Sequence, residues 1–261
     1  MSDEVVMLID LENLRYGLLN NHGQEPDYGA LVKKAMGHGR PSVMKAYADF
    51  REHPESLPRQ LEVAGIDCIN VPVKRTTYVK GGTSIERVKN AADMFLALDA
   101  VNEALEAQAN QRSKVFLLVS GDRDYVKLVT TLRHKFGQRV VIAGVPGTVS
   151  GELIIASGSP PDNVEVPRTV AADMMTIKRK IVGMVKNRPT SLSYWSLKLI
   201  DQWALDPRQA IPGTAKERRD AISELISEEV LVRRQLTDAR RGSVTEAVLN
   251  EDKARELGLI E

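Results

Sequence analysis

Short apolar runs alternate with helix-like segments along the first two thirds of the chain. The runs that predict strands cover residues 5–10, 42–49, 66–73, 115–120 and 139–143, with a possible sixth at 163–166. Apolar residues recur at helical spacings of three and four over residues 28–36, 55–64, 85–110 and 125–135. Continuous apolar strands separated by helices are typical of a parallel sheet that is buried on both faces. The pattern therefore predicts a doubly wound α/β domain.

Length and composition exclude several classes of protein. A chain of 261 residues is long enough for about two domains. Its net charge of +1 excludes a strongly basic coat and an acidic tail. Cys68 has no second cysteine, which excludes an internal disulfide and a cysteine-based zinc site and favours a reducing compartment. The N-terminus does not resemble a signal peptide and no run has membrane-spanning length, so we expect a cytoplasmic protein without membrane contact.

A change in pattern predicts a domain boundary near residue 168. Residues 156–161 are rich in serine, glycine and proline, and Pro167 follows the last candidate strand. The predicted domains are therefore 1–168 and 169–261. In the second, the predicted helices cover 171–186, 193–205 and 214–228, and the predicted strands 230–236 and 243–249.

Three helices followed by a hairpin is the order of a winged helix-turn-helix, so we expect a smaller domain that binds nucleic acid or a protein partner. Four arginines on or beside the hairpin are candidate contacts to a phosphate backbone. They are Arg233, Arg234, Arg240 and Arg241. The alternative is a solvated hairpin tip whose arginines serve solubility.

Three aspartates stand at the ends of predicted strands. Asp10 ends the first strand, and Asp122 and Asp124 follow the fourth. With a strand order of 3-2-1-4-5, the first and fourth strands are neighbours, and their carboxyl ends meet at the crevice where open α/β sheets bind ligands. Clustered carboxylates raise one another's pKa unless a cation lies among them. Oxygen ligands without nearby cysteine or histidine favour Mg²⁺ or Mn²⁺.

A fourth carboxylate is expected from the predicted helix 85–110. We choose Asp93, which shares a helix face with Lys89, whereas Asp99 is rotated about 120° away. An apolar stripe on this helix is predicted to face the sheet. It consists of Met94, Leu98, Val101 and Leu105. The alternative for each strand-end aspartate is an N-cap, and Asp122 or Asp124 also fits that role for the next helix.

The segment 73–89 is strongly basic. Its basic residues are Lys74, Arg75, Lys80, Arg87 and Lys89. With Tyr78 and the pair Gly81-Gly82, the composition predicts a flexible loop that follows the phosphates of a nucleic-acid strand while the aromatic ring stacks on a base. An ordinary exposed loop is the alternative. Arg123, between two of the aspartates, is a further candidate phosphate contact.

Three sequence blocks resemble those of a known family. They are Ile-Asp-Leu-Glu-Asn-Leu at 9–14, Lys-Asn-Ala-Ala-Asp-Met-Phe-Leu-Ala-Leu-Asp at 89–99, and Ser-Gly-Asp-Arg-Asp-Tyr at 120–125. In order and spacing, across residues 5 to about 166, they resemble the NYN family of PIN-like nucleases, which includes the LabA-like proteins. The middle block departs from the usual Lys-Gly-x-Asp pattern, because Ala91 takes the place of the glycine.

The resemblance implies a metal-dependent ribonuclease that hydrolyses phosphodiester bonds, most simply as an endonuclease on single-stranded RNA. The residues implied around Mg²⁺ or Mn²⁺ are Asp10, Asn13, Asp93, Asp122 and Asp124. Asp10 and Asp122 are expected to be central ligands. Asp93 and Asp124 would hold a second ion or an outer-shell water, and Asn13 would orient a water or a phosphate oxygen.

Two other functions fit the same residues. One is a non-catalytic nucleic-acid-binding or adaptor protein on the same fold. The other is a phosphatase that uses Asp10 as nucleophile, although Glu12 stands where such enzymes have a second aspartate. The sequence leaves open RNA or DNA as substrate, endo- or exonucleolytic cleavage, the sequence or structure specificity, the pathway and the oligomeric state.

Overall fold

The computed structural model describes residues 3–80, 83–89, 91–166, 172–189, 192–206, 209–238 and 242–260. Side chains are described throughout these ranges except at 74–80, 83–89, 237–238 and 242. The chain divides into two compact units. The N-terminal unit comprises Met1–Leu18 and Glu25–Pro167, and the C-terminal unit comprises Leu19–Gln24 and Arg168–Glu261.

A five-stranded parallel sheet forms the centre of the N-terminal unit. The strands of this unit are β1 (Glu4–Asp10), β2 (Arg40–Ala48), β3 (Asp67–Asn70), β4 (Lys74–Lys80), β5 (Thr83–Lys89), β6 (Lys114–Val119) and β7 (Arg139–Ala143). The sheet has the order β3-β2-β1-β6-β7, and every neighbouring pair in it is parallel. The predicted strand order is confirmed. It brings the carboxyl ends of β1 and β6 together at the middle of the sheet.

Helices cover both faces of this sheet. They are α1 (Leu11–His22), α2 (Tyr28–His38), α3 (Leu57–Val63), α4 (Ala92–Ala109), α5 (Val126–Thr130) and α6 (Gly151–Ser157), and a π-helical turn over Thr131–Lys135 continues α5. Alternate side chains of β1 point to opposite faces of the sheet and belong to two different apolar clusters. Val5, Met7 and Ile9 pack with α1 to α3. Val6 and Leu8 pack with α4 to α6. The central strand is therefore buried on both sides, as predicted.

The basic segment forms an antiparallel pair of strands, so the predicted loop over 73–89 was wrong. Strands β4 and β5 pair from Lys74 with Lys89 to Lys80 with Thr83. The predicted helix 85–110 begins only at Ala92. Lys89 accordingly lies on a strand and does not share a helix face with Asp93. The physical reason is the run of β-branched residues on both sides of the glycine pair, which favours a hairpin.

The face of α4 that packs on the sheet is also different from the prediction. Its buried residues are Ala92, Leu96, Ala100, Ala104 and Ala107. Met94, Leu98 and Leu105 are exposed by 58%, 57% and 48%. Three of the four residues of the predicted stripe thus face away from the sheet, and only Val101 packs partly against the core. Alanines let the helix backbone approach the strands closely, whereas a reading weighted toward large apolar residues selects the opposite face.

A segment after α6 runs along the outer edge of β7. The possible strand 163–166 is not a strand. Instead, Asp162 N donates to Ile142 O at 2.8 Å and Val164 N donates to Gly144 O at 3.0 Å. The helices Leu11–His22 and Gly151–Ser157 were not predicted at all.

Charge pairing fastens the same segment to α2. The Asp162 carboxylate accepts from Lys34 Nζ at 2.6 Å and contacts His38 Nε2 at 2.8 Å. These partners hold the pKa of Asp162 below its usual range, even though partial burial acts in the opposite direction.

The C-terminal unit contains the three predicted helices followed by two strands. Its elements are α7 (Met174–Lys186), α8 (Leu197–Leu205), α9 (Ala215–Ser227), β8 (Leu231–Asp238), β9 (Gly242–Leu249) and α10 (Glu251–Glu256), of which α10 was not predicted. Its apolar core includes Ile181, Trp195 and Leu225. Lys178, almost buried, bridges α7 to Glu224 and Glu228 of the α9 end at 2.8 and 2.7 Å. Across the described ranges of both units, no helix combines the length and apolarity needed to cross a membrane.

The close contact of α4 with the sheet predicts the effect of a larger side chain there. Ala100→Leu adds volume at a fully buried position. We expect it to lower the free energy of unfolding by about 1–3 kcal/mol in urea titrations, because overpacking displaces the helix. Ala109→Leu, the same change at an exposed position of α4, should alter it by less than about 0.5 kcal/mol. Equal effects would show that α4 does not approach the sheet through its alanines.

Candidate active site

Asp10 is a buried carboxylate at the carboxyl end of the central strand. It is the last residue of β1, and α1 begins directly after it. The residue is 6% exposed. Its Oδ1 accepts from the backbone N–H of Asn13 at 3.2 Å, and its Oδ2 accepts from Ser120 Oγ at 3.2 Å. Both oxygens of the carboxylate are therefore held by the fold.

Burial raises the pKa of Asp10 to about 7. The hydrogen bond from the Asn13 backbone acts in the opposite direction, and the nearby charge of Asp93 raises the pKa further. A carboxylate removed from water costs free energy unless a cation or strong donors compensate it. Without a cation, Asp10 is therefore only partly ionised at neutral pH.

Tyr125 joins Asp10 to a second carboxylate. Its buried hydroxyl donates to Asp93 Oδ1 at 2.9 Å and lies 3.3 Å from Asp10 Oδ2. A hydroxyl has one proton to donate, and the shorter contact favours Asp93 as its acceptor. A protonated Asp10 can then donate to the same Tyr125 oxygen. Burial, with both carboxylates nearby, raises the pKa of Tyr125 far above its usual range.

Asn13 and Ser120 fasten the turn after β6 to the start of α1. The Oδ1 atom of Asn13 accepts from the backbone N–H of Gly121 at 2.9 Å. Ser120 Oγ, besides donating to Asp10, accepts from the backbone N–H of Asp122 at 3.2 Å. The amide oxygen of Asn13 is thus engaged by the protein backbone.

Gly121 allows a second loop to pack against the site. A Cβ atom at this position would lie 3.0 Å from Thr148 O and 3.2 Å from Val149 Cα. The carbonyl of Gly121 also accepts from the backbone N–H of Ser150 at 3.0 Å. A side chain here would press on the backbone of this loop, so glycine is favoured at this position.

Asp122 and Asp124 stand just before Tyr125 in the sequence, but their side chains have other environments. Asp122 Oδ1 accepts from the backbone N–H of Asp124 at 3.0 Å, which caps the short 3₁₀ turn Arg123–Tyr125. Asp122 is half-buried, and Arg123 and Asp124 are exposed. The N-cap alternative thus describes the contact that Asp122 makes. Among the described residues, no group of three or more His, Cys, Asp and Glu side chains is arranged to hold a metal ion.

The chemistry of Asp10 and Asp93 nevertheless fits a hydrated divalent cation. Mg²⁺ commonly retains several waters and binds proteins through one or two carboxylates. A buried carboxylate with a raised pKa, next to a second carboxylate, is stabilised in its ionised form by such a cation. The donor set that fits is therefore this pair.

The predicted nucleic-acid contacts lie on other elements. Lys74, Arg75, Tyr78, Lys80, Arg87 and Lys89 lie on β4 and β5, and their side chains are outside the described residues. Arg233 is exposed on β8, whereas Arg234 donates to Glu246 Oε2 at 2.8 Å. Arg240 and Arg241 are outside the described residues.

Sequence reasoning missed two residues that shape this edge of the sheet. One is Tyr125, whose bridging hydroxyl gave no signal beyond its place in the block 120–125. The other is Asp49, which directly follows β2 and is buried. It accepts from the backbone N–H of Val73 at 2.7 Å and pairs with Arg51, which hold its pKa well below the usual range. Asp49 thereby fixes the chain just before β4, and its position at a strand end was the available signal.

The fold is a mixed α/β arrangement around a five-stranded parallel sheet, consistent with a PIN-like fold, and two carboxylates lie at the carboxyl edge of this sheet. The model of the NYN domain matches residues 4–159, which is more than half of the chain, and the chain belongs to this family of PIN-like nucleases.

The chain is similar to the solved structure of a protein of unknown function, VPA0982 from Vibrio parahaemolyticus RIMD 2210633. The two share 24% sequence identity over 62% of this chain and 91% of that chain, with a TM-score of 0.49. A search of the curated proteins found no match.

The raised pKa of Asp10 predicts how stability depends on pH without metal. The folded-state pKa of about 7 lies above the ordinary aspartate value of 3.8. The folded protein therefore binds this proton more tightly than the unfolded chain does. Its contribution to the free energy of unfolding is complete below about pH 4 and is lost as the pH rises through 7. In EDTA, the free energy of unfolding should fall by up to about 4 kcal/mol from pH 4 to pH 8 through this group. Urea titrations across this range measure it.

Asp10→Asn should remove this part of the pH dependence. The matched control is Asp67→Asn, at an exposed carboxylate that begins β3. This control should retain the slope of the unmodified protein. An unchanged slope in Asp10→Asn would contradict the assignment.

Proposed function

We propose that the protein is a metal-dependent ribonuclease that cleaves single-stranded RNA internally, with residues 1–168 as the nuclease domain. The observation that carries this proposal is the buried carboxylate of Asp10, with a pKa of about 7, joined through the Tyr125 hydroxyl to Asp93. Membership in a family of PIN-like nucleases supports it.

Asp10 and Asp93 would hold Mg²⁺ or Mn²⁺. When bound, the ion supplies Lewis-acid chemistry: it activates water and neutralises charge on the scissile phosphate. The protein's own residues orient the ligands. Ser120 and the Asn13 backbone hold the Asp10 carboxylate through hydrogen bonds, and the Tyr125 hydroxyl donates to Asp93.

Asp122, Asp124 and Asn13 would support the pair of Asp10 and Asp93. Asp122 caps the turn that carries Tyr125, and Asn13 keeps Gly121 against α1. Exposed Asp124 is open to water and could hold an outer-shell water or a second ion. In this assignment Asp122 and Asn13 are mainly positioning residues.

The β4–β5 ribbon supports a single-stranded nucleic acid as the substrate. Strand alternation and the pairing of Lys74 with Lys89 and Thr76 with Arg87 assign most of the basic positions to one face. The positions on that face are Lys74, Tyr78, Lys80, Arg87 and Lys89, and Arg75 belongs to the other face. A basic face with one aromatic residue is typical of surfaces that bind single strands.

We also propose that residues 169–261 form a winged-helix-like domain that recruits the nucleic acid. Its three helices and hairpin support this, as does the hydrogen bond from Ala247 N to Trp195 O at 2.7 Å, which ties the α7–α8 connection to β9. Exposed Arg233 is the described candidate for a phosphate contact. A protein partner for this domain is the alternative.

A non-catalytic RNA-binding adaptor is the second candidate function. The absence of a three-carboxylate metal group among the described residues favours it. It predicts RNA binding that needs no metal and leads to no cleavage.

Cleavage assays distinguish these functions. End-labelled single-stranded RNA and DNA of one sequence are incubated with Mn²⁺, Mg²⁺ or EDTA. We expect internal cleavage of the RNA that requires a cation and is at least about 100-fold slower in Asp10→Asn, because the ion loses a ligand. Asp67→Asn should cleave at the original rate.

Binding without cleavage under every condition would establish the adaptor. Unchanged cleavage by folded Asp10→Asn would contradict the assigned site. A second readout is independent of turnover: Mn²⁺ should raise the melting temperature of the unmodified protein at pH 8 but not that of Asp10→Asn.

The ribbon is tested by the salt dependence of RNA binding in the Asp10→Asn background. Arg87→Ala combined with Lys89→Ala should reduce the slope of log affinity against log salt by about 1.4, because two phosphate contacts are lost. Arg75→Ala, on the opposite face, should leave the slope unchanged. Fluorescence anisotropy at several salt concentrations measures both. Equal changes per residue on the two faces would contradict a binding face.

A further inference from the structure

The outer face of α4 is an apolar surface that the proposed nuclease function does not use. Among the described residues, α4 contributes four large apolar residues that are exposed, whereas each other element that has any contributes one. The four are Met94 at 58%, Phe95 at 45%, Leu98 at 57% and Leu105 at 48%. Such an accumulation on one helix is unusual for a surface that contacts only water.

The spacing of this surface is that of a helix–helix seam. Met94, Leu98, Val101 and Leu105 follow one another at intervals of four, three and four residues. This is the a/d pattern by which two helices pack side by side. Val101 is partly buried in the unit's own core and continues the stripe between its two exposed neighbours. We call these four residues the α4 stripe.

The charges of helix α4 exclude RNA as the molecule that binds the α4 stripe. Helix α4 contains no lysine or arginine, and a surface without cations does not attract phosphates. The carboxylates of α4 that follow the first turn are paired within the chain. Asp99 contacts Lys45 at 2.9 Å, and Glu103 and Glu106 contact Lys114 at 2.8 and 3.7 Å. If two copies of the stripe pack together, these three carboxylates are already paired with lysines and do not face each other as unpaired charges.

We propose that the α4 stripe is a symmetric interface with a second copy of this chain. The exposed fractions of its apolar residues and of Phe95 correspond to about 400 Å² of apolar surface per copy. Apposition of two copies, with a surrounding rim, buries about 1,000–1,200 Å², at the lower end of specific interfaces. An interface of this size is typical of a weak, reversible association.

An antiparallel arrangement about the middle of the stripe pairs complementary positions. Leu98 of one copy faces Val101 of the second copy, and Met94 faces Leu105. The two Asp93 residues then lie about 20 Å apart along the helix axes, since each residue advances about 1.5 Å. Asp93 itself is turned toward Tyr125, so dimerisation leaves both carboxylate pairs accessible.

The test is sedimentation velocity of the full chain over about 0.5–100 µM. We expect a monomer–dimer equilibrium whose Kd rises at least about 100-fold in Leu98→Glu, because two like charges are brought into the seam. Ile155→Glu, the same class of change at an exposed apolar residue of α6, should leave the Kd unchanged. A mixture of Leu98→Glu and Leu98→Lys, each monomeric alone, should form a heterodimer.

Three results would overturn the proposal. They are a chain that stays monomeric throughout, a dimer that persists in Leu98→Glu, and variants that fail to associate when mixed although circular dichroism confirms that they are folded. A loss of RNA affinity in Leu98→Glu at concentrations where the unmodified protein is monomeric would assign the stripe to RNA instead. None of these outcomes depends on whether the protein cleaves RNA.

Discussion

The ionisation of one buried carboxylate organises the N-terminal unit. Asp10 ends a strand that has neighbours on both sides, so it cannot recover the water that it loses on folding. Two surrounding groups donate in place of water: the backbone N–H of Asn13 in the first turn of α1 and the Ser120 hydroxyl directly after β6. These donors compensate only part of the cost, as the raised pKa of Asp10 indicates. Under the proposed function a divalent cation would offset the remainder, and folding would then be linked to ion binding through the same group.

The sequence was sufficient to predict the sheet and two of the carboxylates that the structure brings together. Apolar runs bounded by turns identify parallel strands because both faces of such a sheet are buried. The topology then brings strand ends together whatever the details of the helices, which is why Asp10 was placed correctly. Asp93 was chosen on a helix predicted to start at residue 85, whereas the helix starts at Ala92, and its role at the site stays a prediction. Its contact with Asp10 runs through a hydroxyl of Tyr125 that no pattern indicated.

The errors have a common physical origin, since residue type does not specify what a side chain touches. Alanine and leucine both count as apolar in a helical pattern, but only the alanines of α4 allow close approach to the strands. An aspartate after a strand can be a ligand or a cap, and Asp122 forms a cap contact that the spacing alone could not distinguish. The glycine pair in the basic segment was interpreted as flexibility, whereas the flanking residues form paired strands.

The N-terminal unit includes the segment that runs along β7, because this segment covers the outer edge of the sheet. The outer strand of a sheet presents unpaired backbone groups that can recruit a strand from another molecule. Here the backbone N–H groups of Asp162 and Val164 donate to two carbonyls along this edge. The ion pairs of Asp162 keep the segment in position. The family match ends at residue 159, before this cover begins. A fragment that ends at residue 159 would retain the carboxylates but expose the unpaired edge of β7. Aggregation of such a fragment would then result from the loss of this segment and not from a defect of the site.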